Sequence, residues 1–198
     1  MPRPRIHDEA LRERLLVLAG QELSDRGPDG LSLRTLARAA DTSTRAIYSL
    51  FGGKTGLLHA VFDEAFARFG AHLDAVGKTD DPREDLIRLG RAYRASALAD
   101  PYFYAIMFGS AASDLQPPPE SQQHAARTFE PLQQIVERAI RQGVLRPEDP
   151  LRVATALWAV VHGLVSLELG GHLSQQLGDP AEFFDTSMRA ALTGWLSS

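Results

Sequence analysis

Thr44, Arg45, Tyr48, Ser49 and Lys54 are the residues whose types and spacing offer the clearest chemistry in this chain. A guanidinium presents a rigid fork of donors to guanine edges or phosphate oxygens, and hydroxyls and a phenol bond either base edges or phosphates. A lysine ammonium is a compact charge for phosphate. On a short helix that starts after Ser43, positions 44, 45, 48 and 49 fall on outer faces while Ile47 and Leu50 turn inward. The chemistry on offer is contact with a nucleic-acid duplex.

The surrounding elements must hold that face. Ser32 can cap a short helix that turns Leu33, Leu36, Ala37 and Ala40 inward. Asp41-Thr42 forms a tight turn, and Ser43 caps the second short helix. Two short helices joined this way make a helix-turn-helix, whose second helix can enter the major groove. Lys54 opens the next helix, where its charge and the first-turn amides together favour a phosphate.

From Leu31-Ser32-Leu33-Arg34, through Leu36-Ala37 and Ile47-Tyr48, to Phe51, Lys54 and Leu57-Leu58, the chain resembles the tetracycline-repressor (TetR) family of bacterial transcriptional regulators. The resemblance covers about 50 N-terminal residues, and the matched positions keep a fixed order. It implies a DNA-binding module over 1–54 and an effector-binding and dimerisation domain over 55–198. It further implies a cytoplasmic homodimer on a near-palindromic double-stranded operator, with a small effector controlling DNA affinity. By that likeness Arg34, Thr35, Ser43, Tyr48 and Lys54 are DNA contacts, with Thr35, Tyr48 and Lys54 on phosphates; Thr44, Arg45 and Ser49 are candidate base readers. Two departures stand out. The family usually has glycine in the turn where this chain has Asp41, a residue that tolerates the left-handed conformation better than most. Gly52, Gly53 and Gly56 crowd the start of the helix that carries Lys54, which is expected to loosen it.

The rest of the chain reads as helix after helix. Its 198 residues are 44% hydrophobic and 23% charged, enough for one domain or a small module joined to a larger one, with a sizeable core. Zero cysteines exclude a disulfide scaffold, thiolate zinc sites and a cysteine nucleophile. The formal net charge of −4 divides into +2 over residues 1–54 and −6 over the remainder. The N-terminus lacks the apolar core of a signal peptide. The most apolar stretch, Ala154 to Leu169, carries His162, Ser166 and Glu168 and reads as too short to span a bilayer, so no membrane is expected. Apolar residues recur with a period near 3.6 throughout, and an all-α fold of about nine helices follows. Helices are expected near 7–25, 32–39, 43–50, 54–76, 82–99, 101–109, 120–142, 150–170 and 180–196. Asp-Pro pairs at 81, 100, 149 and 179 mark four of the starts. Ser113–Pro119, with three consecutive prolines, reads as an irregular loop.

No catalytic residue, metal ligand or cofactor is assigned. Gly53-Lys54-Thr55 lacks the earlier glycine of a phosphate-binding loop, because position 48 is Tyr. Glu168 and His172 have metal-ligand spacing, but Gly170-Gly171 should break the helix between them. Trp158, His162 and Gly163 are similar to the Trp-His-Gly pattern of one subgroup of TetR-like C-terminal domains. Pro101–Ser113 and Val153–Leu167 contain no Asp, Glu, Lys or Arg, so two such walls would suit a mainly apolar effector, uncharged or singly charged. Candidate lining residues are Tyr93, Tyr102, Phe103, Met107, Phe108, Phe129, Trp158 and His162. Leu157, Val161, Leu164 and Val165, with Phe184, Met188, Leu192 and Trp195, are expected to form a four-helix dimer bundle. A repressor released by effector is the favoured reading. An activator, an effector-independent regulator and, from another class, an all-α enzyme stay open.

Overall fold

The computed structural model describes residues 5–109 and 116–197. In chain order the helices are α1 (Arg5–Gly30), α2 (Leu33–Ala39), α3 (Thr44–Phe51), α4 (Lys54–Asp74), α5 (Pro82–Ala99), α6 (Pro101–Phe108), α7 (Pro119–Arg127), α8 (Glu130–Arg141), α9 (Pro150–Leu169) and α10 (Pro180–Thr193), with a 3-10 turn at Gln175–Leu177. Among the described residues the sole β feature is an isolated antiparallel bridge between Leu145 and Leu196. The fold is all-α.

Each Asp-Pro pair starts a helix, and three of the four aspartates cap it. Asp149 accepts from the Leu151 N–H, Asp179 from those of Ala181 and Glu182, and Asp81 from that of Arg83. Asp100 makes no cap bond; its carboxylate lies 3.8 Å from the Arg68 guanidinium instead. Two helix expectations need correction. The single helix expected over 120–142 is two, because Pro131 has no N–H to continue the ladder and α8 restarts at Glu130. The last helix stops at Thr193, not 196, where the chain turns back so that Trp195 accepts from the Arg146 N–H and Ser197 donates to Val144. The expected loop over Ser113–Pro119 lies outside the described residues as far as 115, and its last proline is already the first residue of α7.

The chain forms two compact units, one of residues 1–68 and 100–125, the other of 69–99 and 126–198. In the first, α1 packs on α2 and α6, and α2 on α3. Leu15, Leu16, Ala19 and Leu23 of α1 are buried there, as are Leu36, Ile47, Leu57 and Val61. A Cβ on Gly20 would stand 3.2 Å from the Phe103 ring, so this glycine lets α6 lie close on α1. Arg68 ties the unit together. It bonds Glu64 at 2.7 Å, reaches Glu13 at 3.5 Å and places its guanidinium 5.0 Å from the Phe103 ring centre.

In the second unit α5 packs on α8, α9 and α10, with α9 on α8 and α10. Its core holds an ion pair that spacing could not reveal. Asp85 is 1% exposed and pairs with Arg138, while the Thr79 N–H and hydroxyl also donate to its carboxylate. Burial pushes the Asp85 carboxyl up, but hydrogen bonds from Thr79 and Arg138 outweigh it and hold it below the usual carboxylate value. The faces expected to pair two chains are used inside one. Leu157, Val161 and Val165 of α9 and Phe184, Met188 and Leu192 of α10 are buried, and Leu164 and Trp195 half-buried. An apolar stripe records that a helix face is covered, not by which chain. The opposite face of α9, with Thr155, Ala159, Ser166 and Leu167, is exposed, and a Cβ on Gly163 would meet nothing within 4 Å. Close packing does not explain that glycine within the chain.

The bilayer argument from length also needs correction. Because Asp149 caps the helix at Pro150, α9 runs 20 residues and is long and apolar enough to cross a membrane. Its inward stripe nevertheless packs on α5, α8 and α10.

Candidate nucleic-acid interface

Local chemistry builds the helix-turn-helix. The Ser32 hydroxyl accepts from the Thr35 N–H at 3.4 Å, and the Ser43 hydroxyl from the Ala46 N–H at 3.2 Å, so each short helix starts on a serine cap. Between them, Asp41 has φ 53°, its N–H donates to the Arg38 carbonyl, and the Thr42 N–H donates to that of Ala37. This is the Schellman arrangement, with aspartate in the left-handed position usually held by glycine. Leu36, Ala37, Ala40 and Ile47 are buried beneath the turn, and Leu50 is half-buried.

That packing leaves one face of α3 open. Thr44, Arg45 and Ser49 are exposed and Tyr48 is 58% exposed. An exposed phenol of that size, flanked by a guanidinium and two hydroxyls, is a surface suited to a polar, anionic partner. Arg34 is exposed on α2, Thr35 half-buried, Ser43 exposed at the cap, and Lys54 half-buried at the first position of α4. The structure thus brings all eight proposed DNA residues to α2, α3 and the start of α4.

The three glycines after α3 have defined roles. Gly52 (φ 74°) ends α3 in the left-handed conformation, donating to the Tyr48 carbonyl at 2.9 Å. A Cβ on Gly56 would fall 1.9 Å from the Phe51 carbonyl oxygen, so the first turn of α4 can approach the end of α3 only with glycine there. Gly53 has no side-chain oxygen to cap α4, which leaves first-turn amides available to an external acceptor. The side of Phe51 is covered by Arg12, its guanidinium 5.8 Å from the ring centre. Sequence reasoning missed that contact, which joins residues distant in the chain.

The candidate effector residues are divided between the two units. In the second unit Tyr93, Phe129, Trp158 and His162 converge. The Trp158 indole N–H donates to the Tyr93 oxygen at 3.4 Å, and the Tyr93 hydroxyl lies 3.1 Å from His162 Nδ1. Since Tyr93 accepts from Trp158, its own proton is directed at Nδ1, which favours the neutral tautomer with hydrogen on Nε2. Burial keeps the His162 pKa below its ordinary value, consistent with a neutral ring. Phe69 stands edge-on to Tyr93 with ring centres 5.0 Å apart, and Phe129 edge-on to Trp158 at 5.9 Å. Tyr102, Phe103, Met107 and Phe108 lie on α6 in the first unit; Phe103 and Met107 are buried there, Phe108 meets Phe66 edge-on, and Tyr102 is 41% exposed. Glu168, which has metal-ligand spacing to His172, is held by Arg94 through two bonds of 2.7 and 2.5 Å. The helix ends at Leu169 before Gly170-Gly171.

A helix-turn-helix with its second helix open to solvent, followed by a larger helical unit, defines a DNA-binding regulator of the helix-turn-helix class. Residues 15–61 match the model of bacterial regulatory proteins of the tetR family, and residues 86–191 match that of the tetracyclin repressor-like C-terminal domain. The chain belongs to the TetR family and is a DNA-binding transcriptional regulator, not an enzyme. It is 26% identical to the HTH-type transcriptional regulator Rv1816 of Mycobacterium tuberculosis (strain ATCC 25618 / H37Rv), over 91% of this chain and 90% of that one. A protein of unknown function from Rhodococcus sp. RHA1 is 28% identical and superposes with a TM-score of 0.80, covering 94% of this chain and 96% of that one. The same fold, at 19% identity and a TM-score of 0.68, is found in AibR, solved in complex with isovaleryl coenzyme A and operator DNA; 91% of this chain and 97% of that one are covered.

Proposed function

We propose that residues 1–54 bind a near-palindromic operator as the DNA-binding module of a homodimeric repressor, and that residues 55–198 form the domain whose small effector releases it. The observation that carries the reading is the face of α3: Thr44, Arg45, Tyr48 and Ser49 turn outward from the fully buried Ile47. Thr44, Arg45 and Ser49 read base edges, Thr35, Tyr48 and Lys54 hold the phosphate backbone, and Arg34 and Ser43 are further DNA contacts. The effector is uncharged or singly charged and mainly apolar. It binds against Tyr93, Phe129, Trp158 and His162, where aromatic surface surrounds one neutral hydrogen-bonding group. Phe103, Met107 and Phe108 lie on α6 in the first unit, Phe103 and Met107 buried and Phe108 half-buried. Effector acts by population shift, favouring a spacing of the recognition helices that fits DNA poorly, and its effect is limited by its differential affinity for the two states.

A second copy covers the open face of α9, where Thr155, Ala159, Gly163 and Ser166 are small enough for close helix approach. This assigns the apolar length of α9 to an interface between copies and keeps the protein in the cytoplasm with its operator.

Fluorescence anisotropy with specific and random duplexes tests the DNA half. Lys54→Ala and Tyr48→Phe weaken binding to both, and Lys54→Ala lowers the salt slope by about one. Arg45→Ala loses about 1–3 kcal/mol at one operator position and relaxes preference there. Equal losses for Arg45→Ala on both duplexes would refute base reading. Light scattering that shows a stable monomer at micromolar concentration would remove the dimer.

A further inference from the structure

Serine caps both α2 and α3, but the residue that opens α4 is Gly53. Its carbonyl accepts from the Leu57 N–H at 3.0 Å, which makes it the N-cap, a position ordinarily held by serine, threonine, asparagine or aspartate. Two observations account for glycine there. Its φ is 132°, a conformation that L side chains rarely adopt. A Cβ would also stand 3.3 Å from Tyr48 Cε1 and 3.7 Å from Cδ1, the first closer than an ordinary carbon contact. One side of the Tyr48 ring therefore rests on bare main chain, although the residue is 58% exposed. Gly52 turns the chain back to make this contact, its N–H donating to the Tyr48 carbonyl at 2.9 Å with φ 74°. Cε1 is bonded to the carbon that carries the phenol oxygen, so the polar end of the ring lies beside the start of α4, one residue before Lys54.

An exposed side chain that must be immobilised on binding gives up rotamer freedom, which costs affinity; one already seated does not. We propose that Gly53 is a positioning residue for DNA binding: its bare α-carbon seats the Tyr48 ring, so that the phenol hydroxyl and Lys54 address the phosphate backbone from one place. The inference rests on the reading of Tyr48 and Lys54 as phosphate contacts and adds the residue that keeps them together. A side chain at 53 acts without unfolding the junction. The exposed ring gives way to it, and the hydroxyl leaves its place beside Lys54.

The test is fluorescence anisotropy of the full chain on specific and random duplexes, with Gly53→Ala, Gly52→Ala, Tyr48→Phe and the double variant of Tyr48→Phe with Gly53→Ala. Gly53→Ala should weaken binding about tenfold, the order of one hydrogen bond to a charged group, and equally on both duplexes because phosphates carry no sequence information. Gly52→Ala also strains a positive φ, but its Cβ meets nothing within 4 Å, so its affinity should stay within about threefold of the parent. In the Tyr48→Phe background the strain and the ring contact are the same but there is no hydroxyl to place, so the loss from Gly53→Ala should shrink by about threefold or more. In the free parent chain, a nuclear Overhauser contact between a Gly53 α-proton and the Tyr48 ring is expected. Absence of that contact, equal losses for Gly52→Ala and Gly53→Ala, or an undiminished loss in the Tyr48→Phe background would each overturn the positioning role while the phosphate contacts stand. Full affinity in Tyr48→Phe alone would overturn both.

Discussion

Asp41→Gly should make the DNA-binding module more stable, which tests the turn directly. Asp41 sits at φ 53° with both hydrogen bonds of the turn already formed, the Thr42 N–H to Ala37 at 2.8 Å and its own N–H to Arg38 at 3.2 Å. Glycine keeps both bonds and removes the clash between Cβ and carbonyl, about 1–2 kcal/mol for an L-residue, with aspartate at the low end. It also removes a negative charge at the C-terminal end of α2, worth about 0.3 kcal/mol at an exposed site. Against this, glycine widens the unfolded ensemble by about 0.4–1 kcal/mol. The balance is a gain of about 0.5 kcal/mol, or ~1–2 °C in Tm for a chain of this size. Asp41→Val should lose about 1–2 kcal/mol, because a β-branched residue is a strong outlier at positive φ. Urea unfolding monitored by amide signals of α2 and α3 gives the ranking Gly, Asp, Val. If Asp41→Val is as stable as the parent, the turn is not left-handed and the reasoning fails. The glycine variant should also bind every duplex somewhat more tightly, since an anion leaves the protein surface beside α3.

Other expectations follow from the same structure. Because the Asp85 carboxyl is held below its ordinary value, its contribution to stability is present above about pH 3.9 and is lost as pH falls through the lower folded-state value. Chemical denaturation of Asp85→Asn between pH 5 and 3 should therefore show a flatter profile than the parent. Arg138→Ala, which strands Asp85 in the core, should lose about 3–5 kcal/mol at pH 7. Burial lowers the His162 pKa, so the unfolded chain takes up its proton first and stability should fall as pH drops below about 6.5; His162→Gln should flatten that decline, and NMR titration of the ring checks the direction. Gly56→Ala must displace the Phe51 carbonyl or the first turn of α4, so affinity for specific and random duplexes should fall at least tenfold while the melting of α5 and α8–α10 stays unchanged.

Much of this fold was legible because its signals are local. Asp-Pro marks a helix start through a cap and a fixed φ, Ser32 and Ser43 cap within three residues, and Asp41 could be placed in the left-handed region from its type. Pro131 was equally local, yet the apolar stripe that runs through Phe129, Leu132 and Val136 concealed the break. The ion pairs between helices were not legible at all: Asp85 and Arg138 lie 53 positions apart and Arg94 and Glu168 74, and no helical spacing connects them. The glycines after α3 looked like loosening elements when considered by propensity alone. Their roles depend on positive φ and on a carbonyl one turn away, which propensity does not report.

The uncharged run from Val153 to Leu167 shows what a composition argument leaves out. Read as a stretch, it suggested one wall of an effector site. Wound at 3.6 residues per turn, the same residues face three ways. Val153, Leu157, Val161 and Val165 fill the core, Trp158 and His162 reach Tyr93, and Thr155, Ala159 and Ser166 are exposed. Lack of charge was therefore satisfying three separate requirements: a dry interior, a neutral polar handle, and an open face of small residues. The first two sides are accounted for inside the chain. Among the described residues the third alone is exposed and meets no neighbour at Gly163, which is why the proposed interface between copies belongs to Gly163 and its flanking small residues and not to the large apolar stripe.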